Sequence, residues 1–308
     1  MSRNNSTYFA GGVVIAVTGA VFFSTKAIFV KLAYRDTSVD AVSLLALRML
    51  FSLPFFVASA VVSSRKSENV RFTPAQWAAV AIVGCLGYYV SSLLDFLGLQ
   101  YVSAGMERLI LFIYPTLVLL ISAVAFKVRI NMYQWLAIVV TYSGLLLAFW
   151  GEASFDASGP EFFKGAMLIF ACAVTFATYI VGSGRLIPVI GAGKFNSYAM
   201  SFACVAVLIH FGVVNRNSLL DLDRQVYLYS IAMALMGTVI PSYLVSEGIK
   251  RIGSENAAIV GSVGPVSTII QAYFFLHEPI IALQVAGTVF ILFGILMISR
   301  SKPVPSLK

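Results

Sequence analysis

Ten long apolar runs, separated by short polar or charged segments, constrain the fold of this chain more than any other feature. A helix that crosses a hydrocarbon core needs about 20 residues, because lipid cannot satisfy unpaired backbone groups. The runs therefore predict an all-α integral membrane protein with ten transmembrane helices. The predicted spans are residues 10–32, 39–62, 74–98, 103–126, 132–150, 162–184, 195–214, 225–249, 254–276 and 280–299.

The composition supports a chain that is covered by lipid. Only 11% of the 308 residues are charged and 59% are hydrophobic, whereas an ordinary soluble domain carries roughly 25% charged residues. The net charge of +8 is spread between the apolar runs, so we expect the lipid bilayer as a partner and no nucleic acid. Cys85, Cys172 and Cys204 lie inside apolar runs, and their spacing predicts neither a disulfide framework nor a metal site.

The distribution of basic residues predicts the orientation of the chain. Thirteen Lys and Arg residues fall in the N-terminus, the even-numbered loops and the C-terminal tail, and five fall in the odd-numbered loops. Cytoplasmic segments carry the excess of Lys and Arg in membrane proteins. We therefore expect a multi-pass protein of the cell (inner) membrane with both termini in the cytoplasm, and we expect a monomer.

The chain contains an internal repeat. A shift of 150 residues lays 76–150 on 226–300 without a gap and gives ten identities, six of them Gly, Pro, Ser or Gln. They include Gly87/Gly237, Ser92/Ser242, Pro115/Pro265 and Gly144/Gly294. A shift of 153 aligns the first span of each half, where Gly12, Phe23 and Thr25 match Gly165, Phe176 and Thr178.

The repeat divides the predicted spans into two sets of five. Because five is odd, the two copies must cross the membrane in opposite directions, which is the inverted-repeat plan of many secondary transporters. We predict a first repeat at 1–150, an external linker at 151–161 and a second repeat at 162–308, arranged around a central cavity.

Two segments carry a resemblance to a known family. The segment GLQYVSAGMERLILFIYPTLVLL (98–120) and the segment 247–298 are similar to the EamA-type repeat of the drug/metabolite transporter superfamily. The second copy has Gly253 and Ser254 at a turn, a mid-helix proline and Glu278 before Pro279, whereas Val128 replaces that Glu in the first copy. We interpret Glu278 as structural, because an acid suits a helix N-terminus. Within the superfamily, the whole chain most resembles bacterial aromatic amino acid exporters of the YddG type.

The function implied by this resemblance is export of a small solute by alternating access, with amino acids, and aromatic ones above all, as solutes. The sequence has no phosphate-binding loop, no HExxH and no GxSxG motif, so we expect no enzyme and no cofactor. A broad-specificity efflux carrier for drugs or metabolites is the main alternative. A membrane-embedded enzyme or a receptor is the alternative from another class.

Polar stripes on the predicted spans suggest a binding site. Span 3 carries Tyr88, Ser91 and Ser92 on or beside one helical stripe, and the repeat places Thr238 and Ser242 of span 8 at matching depth. Equivalent segments of inverted repeats meet near the midplane, where transporter sites usually lie. We predict that these residues, together with Tyr179 of span 6, bind the solute. Close packing of small residues is the alternative.

Two prolines and several charges also lie within the predicted spans. Pro115 and Pro265 occupy equivalent mid-span positions and predict a pair of hinges, or else two static kinks. The charges are Lys26, Arg48, Asp95, Glu107 and Arg108. A charge at depth needs a partner or a wet cavity, so Arg48 either meets solute or pairs with an acid. We expect Glu107 and Arg108 to pin helices together near the outer surface, and Lys26 to reach the outer interface.

Overall fold

The computed structural model describes residues 2–65, 72–127, 130–155, 159–214, 219–244, 247, 251 and 263–300. Within these residues every regular element is a helix. Val128, Gly253 and Ser254, named above for the resemblance, lie outside them. The helices are α1 (Ser2–Asp36), α2 (Ala41–Ser64), α3 (Pro74–Gly84), α4 (Ser91–Gly98), α5 (Ala104–Leu111), α6 (Tyr114–Phe126), α7 (Met132–Phe155), α8 (Gly159–Ile190), α9 (Ala192–Val214), α10 (Arg224–Ala234), α11 (Val263–Gln271) and α12 (Ala282–Arg300).

The described helices account for the predicted apolar runs. Eight helical stretches are long and apolar enough to cross a membrane, and the last two runs contain the shorter apolar helices Val263–Leu276 and Ala282–Met297. The protein is therefore a multi-pass membrane protein. Helices α7 and α8 both extend into the predicted linker 151–161, which is helical at 151–155 and 159–161. Residues 156–158 lie outside the described part of the chain.

Local capping explains where several helices begin. The Asp40 side chain accepts hydrogen bonds from the backbone N–H groups of residues 42 and 43 at the start of α2. Thr73 and Gln76 form a reciprocal capping box at the start of α3, with Pro74 in the first turn. The Ser103 hydroxyl accepts from the Met106 N–H in α5. Each cap satisfies backbone donors that the first helical turn leaves unpaired.

The fourth predicted span is interrupted near its middle. Helix α5 ends at Leu111, and α6 begins at Tyr114 with Pro115 as its second residue. Because proline has no N–H and clashes with the preceding turn, it cannot continue an α-helix from α5. The predicted bend at Pro115 is thus a helix break. Pro265 is the third residue of α11, and the residues that precede Val263 lie outside the described part of the chain.

Two segments of π-helix occupy equivalent positions in the repeat. The segments Cys85–Val90 and Leu235–Val239 follow α3 and α10 directly, and their first residues are related by the 150-residue shift. A π-helix is rare and is often found at functional sites. The wider turn also alters the helical stripe predicted for Tyr88, Ser91 and Ser92 on span 3, since that stripe assumed an uninterrupted α-helix.

The most extensive helix pairing among the described residues joins the last predicted spans of the two halves, α7 and α12. A Cβ atom added at Gly144 would lie 2.7 Å from the carbonyl oxygen of Gly287, and one added at Gly294 would lie 2.8 Å from that of Ala137. The 150-residue shift relates Gly144 to Gly294 and Ala137 to Gly287. The two contacts are therefore the same contact with the halves exchanged, as a two-fold relation requires.

Candidate functional site

A second contact of this kind lies where the π segments meet the first spans. Gly87, in the first π segment, packs directly against the ring of Tyr179 in α8. Gly237, in the second, packs against Lys26 in α1, where an added Cβ would lie 3.2 Å from the Lys26 Cβ. Lys26 and Tyr179 are related by the 153-residue shift of the first spans. Each half thus places one long side chain over the π-segment glycine of the other half.

The residue after each glycine bonds to the second span of the opposite half. The Tyr88 hydroxyl donates to Oδ1 of Asn196 in α9 over 3.2 Å. The Thr238 hydroxyl oxygen accepts from Nε of Arg48 in α2 over 2.9 Å. Tyr88 and Thr238 are equivalent in the repeat, so the halves are joined at two related points, one neutral and one cationic.

At the neutral contact, two tyrosines and an asparagine lie together. We call these residues, Tyr88, Tyr179 and Asn196, the tyrosine cluster. The hydroxyl oxygens of Tyr88 and Tyr179 lie 3.0 Å apart in a hydrogen bond, and their rings meet edge to face at 4.9 Å. Because the Tyr88 hydroxyl donates to Asn196, Tyr179 donates to Tyr88. Phe176 and Phe195 flank the Tyr179 ring at 5.7 and 6.1 Å. The cluster offers aromatic faces and hydroxyl groups without a fixed charge.

The cationic point belongs to a larger charged cluster: Lys26, Arg48, Asp95, Glu107 and Arg108. The Lys26 ammonium nitrogen lies 2.6 Å from Asp95 Oδ2 and 3.6 Å from Glu107 Oε1. The side chains of the two acids are 1% and 0% exposed. Charges buried this deeply are tolerated only when they are paired. One ammonium group therefore holds two carboxyl groups together, which ties α1 to α4 and α5.

One sequence prediction about these charges is wrong, and another is supported in part. Lys26 does not reach the outer interface, because it is held by Asp95 and Glu107 inside the protein. Glu107 and Arg108 each join α5 to α1, as predicted for residues that pin helices: Glu107 through Lys26, and Arg108 through its Nη2 atom, which approaches the Ser24 hydroxyl oxygen at 3.5 Å. Consecutive residues on a helix point in different directions, so Glu107 faces α1 and α4 while Arg108 lies against α1 and Gly264 of α11.

The predicted serines bond within their own helices. Ser91 is buried and its hydroxyl donates to the Gly87 carbonyl oxygen, while the Ser242 hydroxyl donates to the Val239 carbonyl oxygen over 2.7 Å. Ser92 is half-buried. The structure therefore brings Tyr88 together with Tyr179, and Thr238 together with Arg48, but the described contacts do not tie the serines to either cluster. Within the described residues, no three His, Cys, Asp or Glu side chains form a metal-ligand set.

Glu278 binds a helix N-terminus, as the sequence predicts, although the helix is not its own. Its carboxylate oxygens accept hydrogen bonds from the backbone N–H groups of Ala104 and Gly105 over 3.0 and 3.4 Å. These are the first residues of α5, where unpaired N–H groups and the helix dipole favour an anion. Nothing in the sequence alone distinguishes Asn196. Its position identifies it, because it bonds to Tyr88 as Arg48 bonds to Thr238.

The apolar helices define a multi-pass membrane protein, and similarity to known proteins places it in the transporter class. The model of the EamA-like transporter family matches this chain twice, at residues 10–150 and 163–300. The chain belongs to that family.

Individual relatives cover nearly the whole chain. The uncharacterized transporter YcbK of Bacillus subtilis is 32% identical over 288 residues, which cover 90% of this chain and 89% of YcbK. The uncharacterized inner membrane transporter YicL of Salmonella typhimurium is 20% identical, with 94% of this chain and 95% of YicL covered. A solved protein structure superposes with a TM-score of 0.63 at 18% identity over 94% of this chain and 96% of that one, which shows a shared fold.

Proposed function

We propose that this protein exports small solutes by alternating access between two inverted five-span repeats, and that amino acids, with aromatic ones preferred, are its solutes. The observation that carries the proposal is the pair of equivalent cross-half contacts at Tyr88 and Thr238. A solute that enters between the halves must separate one or both contacts. Exchange of the two contacts is the kind of change that opens a site first to one side and then to the other.

The inverted arrangement is supported by contacts that repeat with the halves exchanged. Gly144 meets Gly287 as Gly294 meets Ala137, and Gly87 meets Tyr179 as Gly237 meets Lys26. Along α7 these contacts step back from Gly144 to Ala137 while along α12 they step forward from Gly287 to Gly294, so the two equivalent helices run antiparallel, as copies that cross in opposite directions predict. Ten spans, with both termini on one side, follow from this arrangement.

The tyrosine cluster supports an aromatic solute. Aromatic rings favour edge-to-face and offset packing with other rings, and the hydroxyls of Tyr88 and Tyr179 supply hydrogen-bonding groups beside those faces. In our proposal the solute contacts Tyr88, Ser91, Ser92, Tyr179, Thr238 and Ser242. The helix break at Pro115 and the equivalent position Pro265 serve as hinges. A broad-specificity efflux carrier remains the second candidate, since aromatic faces also accept many apolar drugs.

Transport by the purified protein tests the proposal. Proteoliposomes prepared with a chelator and without nucleotide should accumulate labelled phenylalanine, tyrosine and tryptophan faster than protein-free liposomes, and faster than they accumulate alanine or glutamate. A parallel series with an imposed proton gradient shows whether flux is coupled to protons. Equal uptake of aromatic and small amino acids would favour the broad carrier, and a strict need for ATP or metal would contradict alternating access by a secondary transporter.

The proposed topology gives a separate prediction. Since cytoplasmic segments carry the basic excess, a cytoplasm-dependent reporter fused after Lys308 should be active, and one that requires the periplasm should be inactive. The same reporters inserted after Asp156, in the segment between the two repeats, should give the reverse result. Periplasmic activity at the C-terminus would contradict the orientation. If the fusions after Asp156 and after Lys308 reported the same side of the membrane, five spans in the second half would be contradicted.

A further inference from the structure

Arg48 is a buried cation that forms no ion pair within the described residues. The residue is only 5% exposed, and its Nε atom donates to the Thr238 hydroxyl oxygen. Its guanidinium carbon lies 5.5 Å from the centroid of the Phe96 ring. The Nη1 atom is buried and has no hydrogen-bond partner among the described residues. Hydroxyl and ring contacts orient the guanidinium but supply no negative charge.

The acids in the same cluster, Asp95 and Glu107, form their ion pairs with another residue. Asp95 and Glu107 lie around the Lys26 ammonium group at 2.6 and 3.6 Å, and Arg48 forms no ion pair within 4.0 Å in the described part of the chain. An arginine cannot shed its proton in a protein, so it cannot escape its burial as a lysine can. A guanidinium within a membrane protein therefore needs an anion or water.

We propose that Arg48 binds the carboxylate of the transported solute. Its planar fork of N–H donors matches the two oxygens of a carboxylate, and the free Nη1 provides one of those donors. This inference rests on the proposed function and makes it more specific: solutes carry a carboxylate, and amines or amides that lack one are excluded.

The position of Arg48 also links binding to the meeting of the halves. Arg48 belongs to α2 in the first half, while Thr238 belongs to the second π segment. A carboxylate on the guanidinium lies beside this cross-half contact and can compete with or reinforce it. The equivalent contact, Tyr88 with Asn196, contains no cation, so the carboxylate has one preferred end. An asymmetric site of this kind orients the solute during transport.

Three probes that share a benzyl group separate carboxylate recognition from general apolar binding: L-phenylalanine, 3-phenylpropionate and L-phenylalaninamide. In liposomes that contain the full chain, the first two should inhibit uptake of labelled phenylalanine. The amide should inhibit about 10–100-fold more weakly, because the loss of hydrogen bonds to a charged group lowers affinity by about this factor. In detergent, phenylalanine and phenylpropionate should raise the thermal midpoint of the wild-type protein, and the amide should not.

The variants Arg48→Gln and Arg48→Lys distinguish a binding role from a purely structural one. Folded Arg48→Gln should lose the thermal shift with both carboxylates, and Arg48→Lys, a charge without a planar fork, should bind both more weakly by a similar factor. If Arg48 only pins α2 to Thr238, the variants will melt lower but keep the preference for acid over amide. Should Arg48→Gln fail to fold, the lysine variant and the wild-type competition still decide.

Two further results would contradict the proposal in distinguishable ways. Amide that competes as well as phenylalanine in the wild-type protein overturns the assignment of Arg48 but leaves amino acid transport intact. Wild-type liposomes that transport neither phenylalanine nor any other amino acid overturn the proposed function, and the carboxylate site with it.

Discussion

Replacement of Lys26 by Met should lower the stability of the protein by about 3–5 kcal/mol, the usual cost of leaving a buried charge without its partner. Lys26 is the cation that holds Asp95 and Glu107, whose side chains are almost completely buried. Methionine has a similar length and suits the apolar surroundings, so the loss should come from the carboxyl groups rather than from a cavity. Unfolding of purified protein in mixed micelles, followed by circular dichroism against denaturant, measures the difference.

A matched control and a double variant identify the cause. Lys164→Met removes a lysine that is exposed and bonded to the Tyr101 hydroxyl, and it should leave stability nearly unchanged. The double variant Lys26→Met with Asp95→Leu removes a pair of opposite charges together, and it should recover part of the loss, because an apolar pair can replace a buried ion pair. Wild-type stability in Lys26→Met would mean that the ion pair does not stabilise the folded protein.

The contrast between Lys26 and the apolar runs shows what the sequence could predict. Run length and low charge are properties of each segment alone, so the helices could be located without knowing their neighbours. The role of Lys26 depends on Asp95 and Glu107, which come from two other spans. A single sequence contains no measure of which faces of distant helices meet, and an end-of-span lysine commonly extends to the interface.

The internal repeat did relate residues on distant helices. It related Gly87 to Gly237 and Gly144 to Gly294, and all four glycines lie in close contacts between elements. Glycine at such positions removes side-chain bulk where helices meet. The repeat also predicted that Tyr88 and Thr238 are equivalent, and in the structure each bonds to the second span of the opposite half. The π segments were beyond prediction, because apolar periodicity over five or six residues does not distinguish an α-turn from a π-turn.

Gly144→Ala and Gly294→Ala should each destabilise the protein by about 1–3 kcal/mol, the usual cost of overpacking a core. An added Cβ would lie within 2.7 Å of the Gly287 carbonyl oxygen in the first variant and within 2.8 Å of the Ala137 carbonyl oxygen in the second. Backbone atoms of a packed helix cannot rotate away as a side chain can, so α7 and α12 must separate. Because the two contacts are equivalent, the two losses should be similar.

Gly212→Ala provides the control for these two variants. Gly212 lies in α9, and an added Cβ there meets nothing within 4 Å. Alanine is the better helix former by about 1 kcal/mol in an exposed helix interior, so this variant should be as stable as the wild-type protein or more so. Thermal unfolding in detergent, read by size-exclusion chromatography after heating, compares all three variants.

If Gly144→Ala and Gly294→Ala are as stable as Gly212→Ala, α7 and α12 do not pack through these glycines. If only one of the two is destabilised, the contacts are not equivalent, and the reciprocal packing that supports the inverted repeat loses one of its two examples.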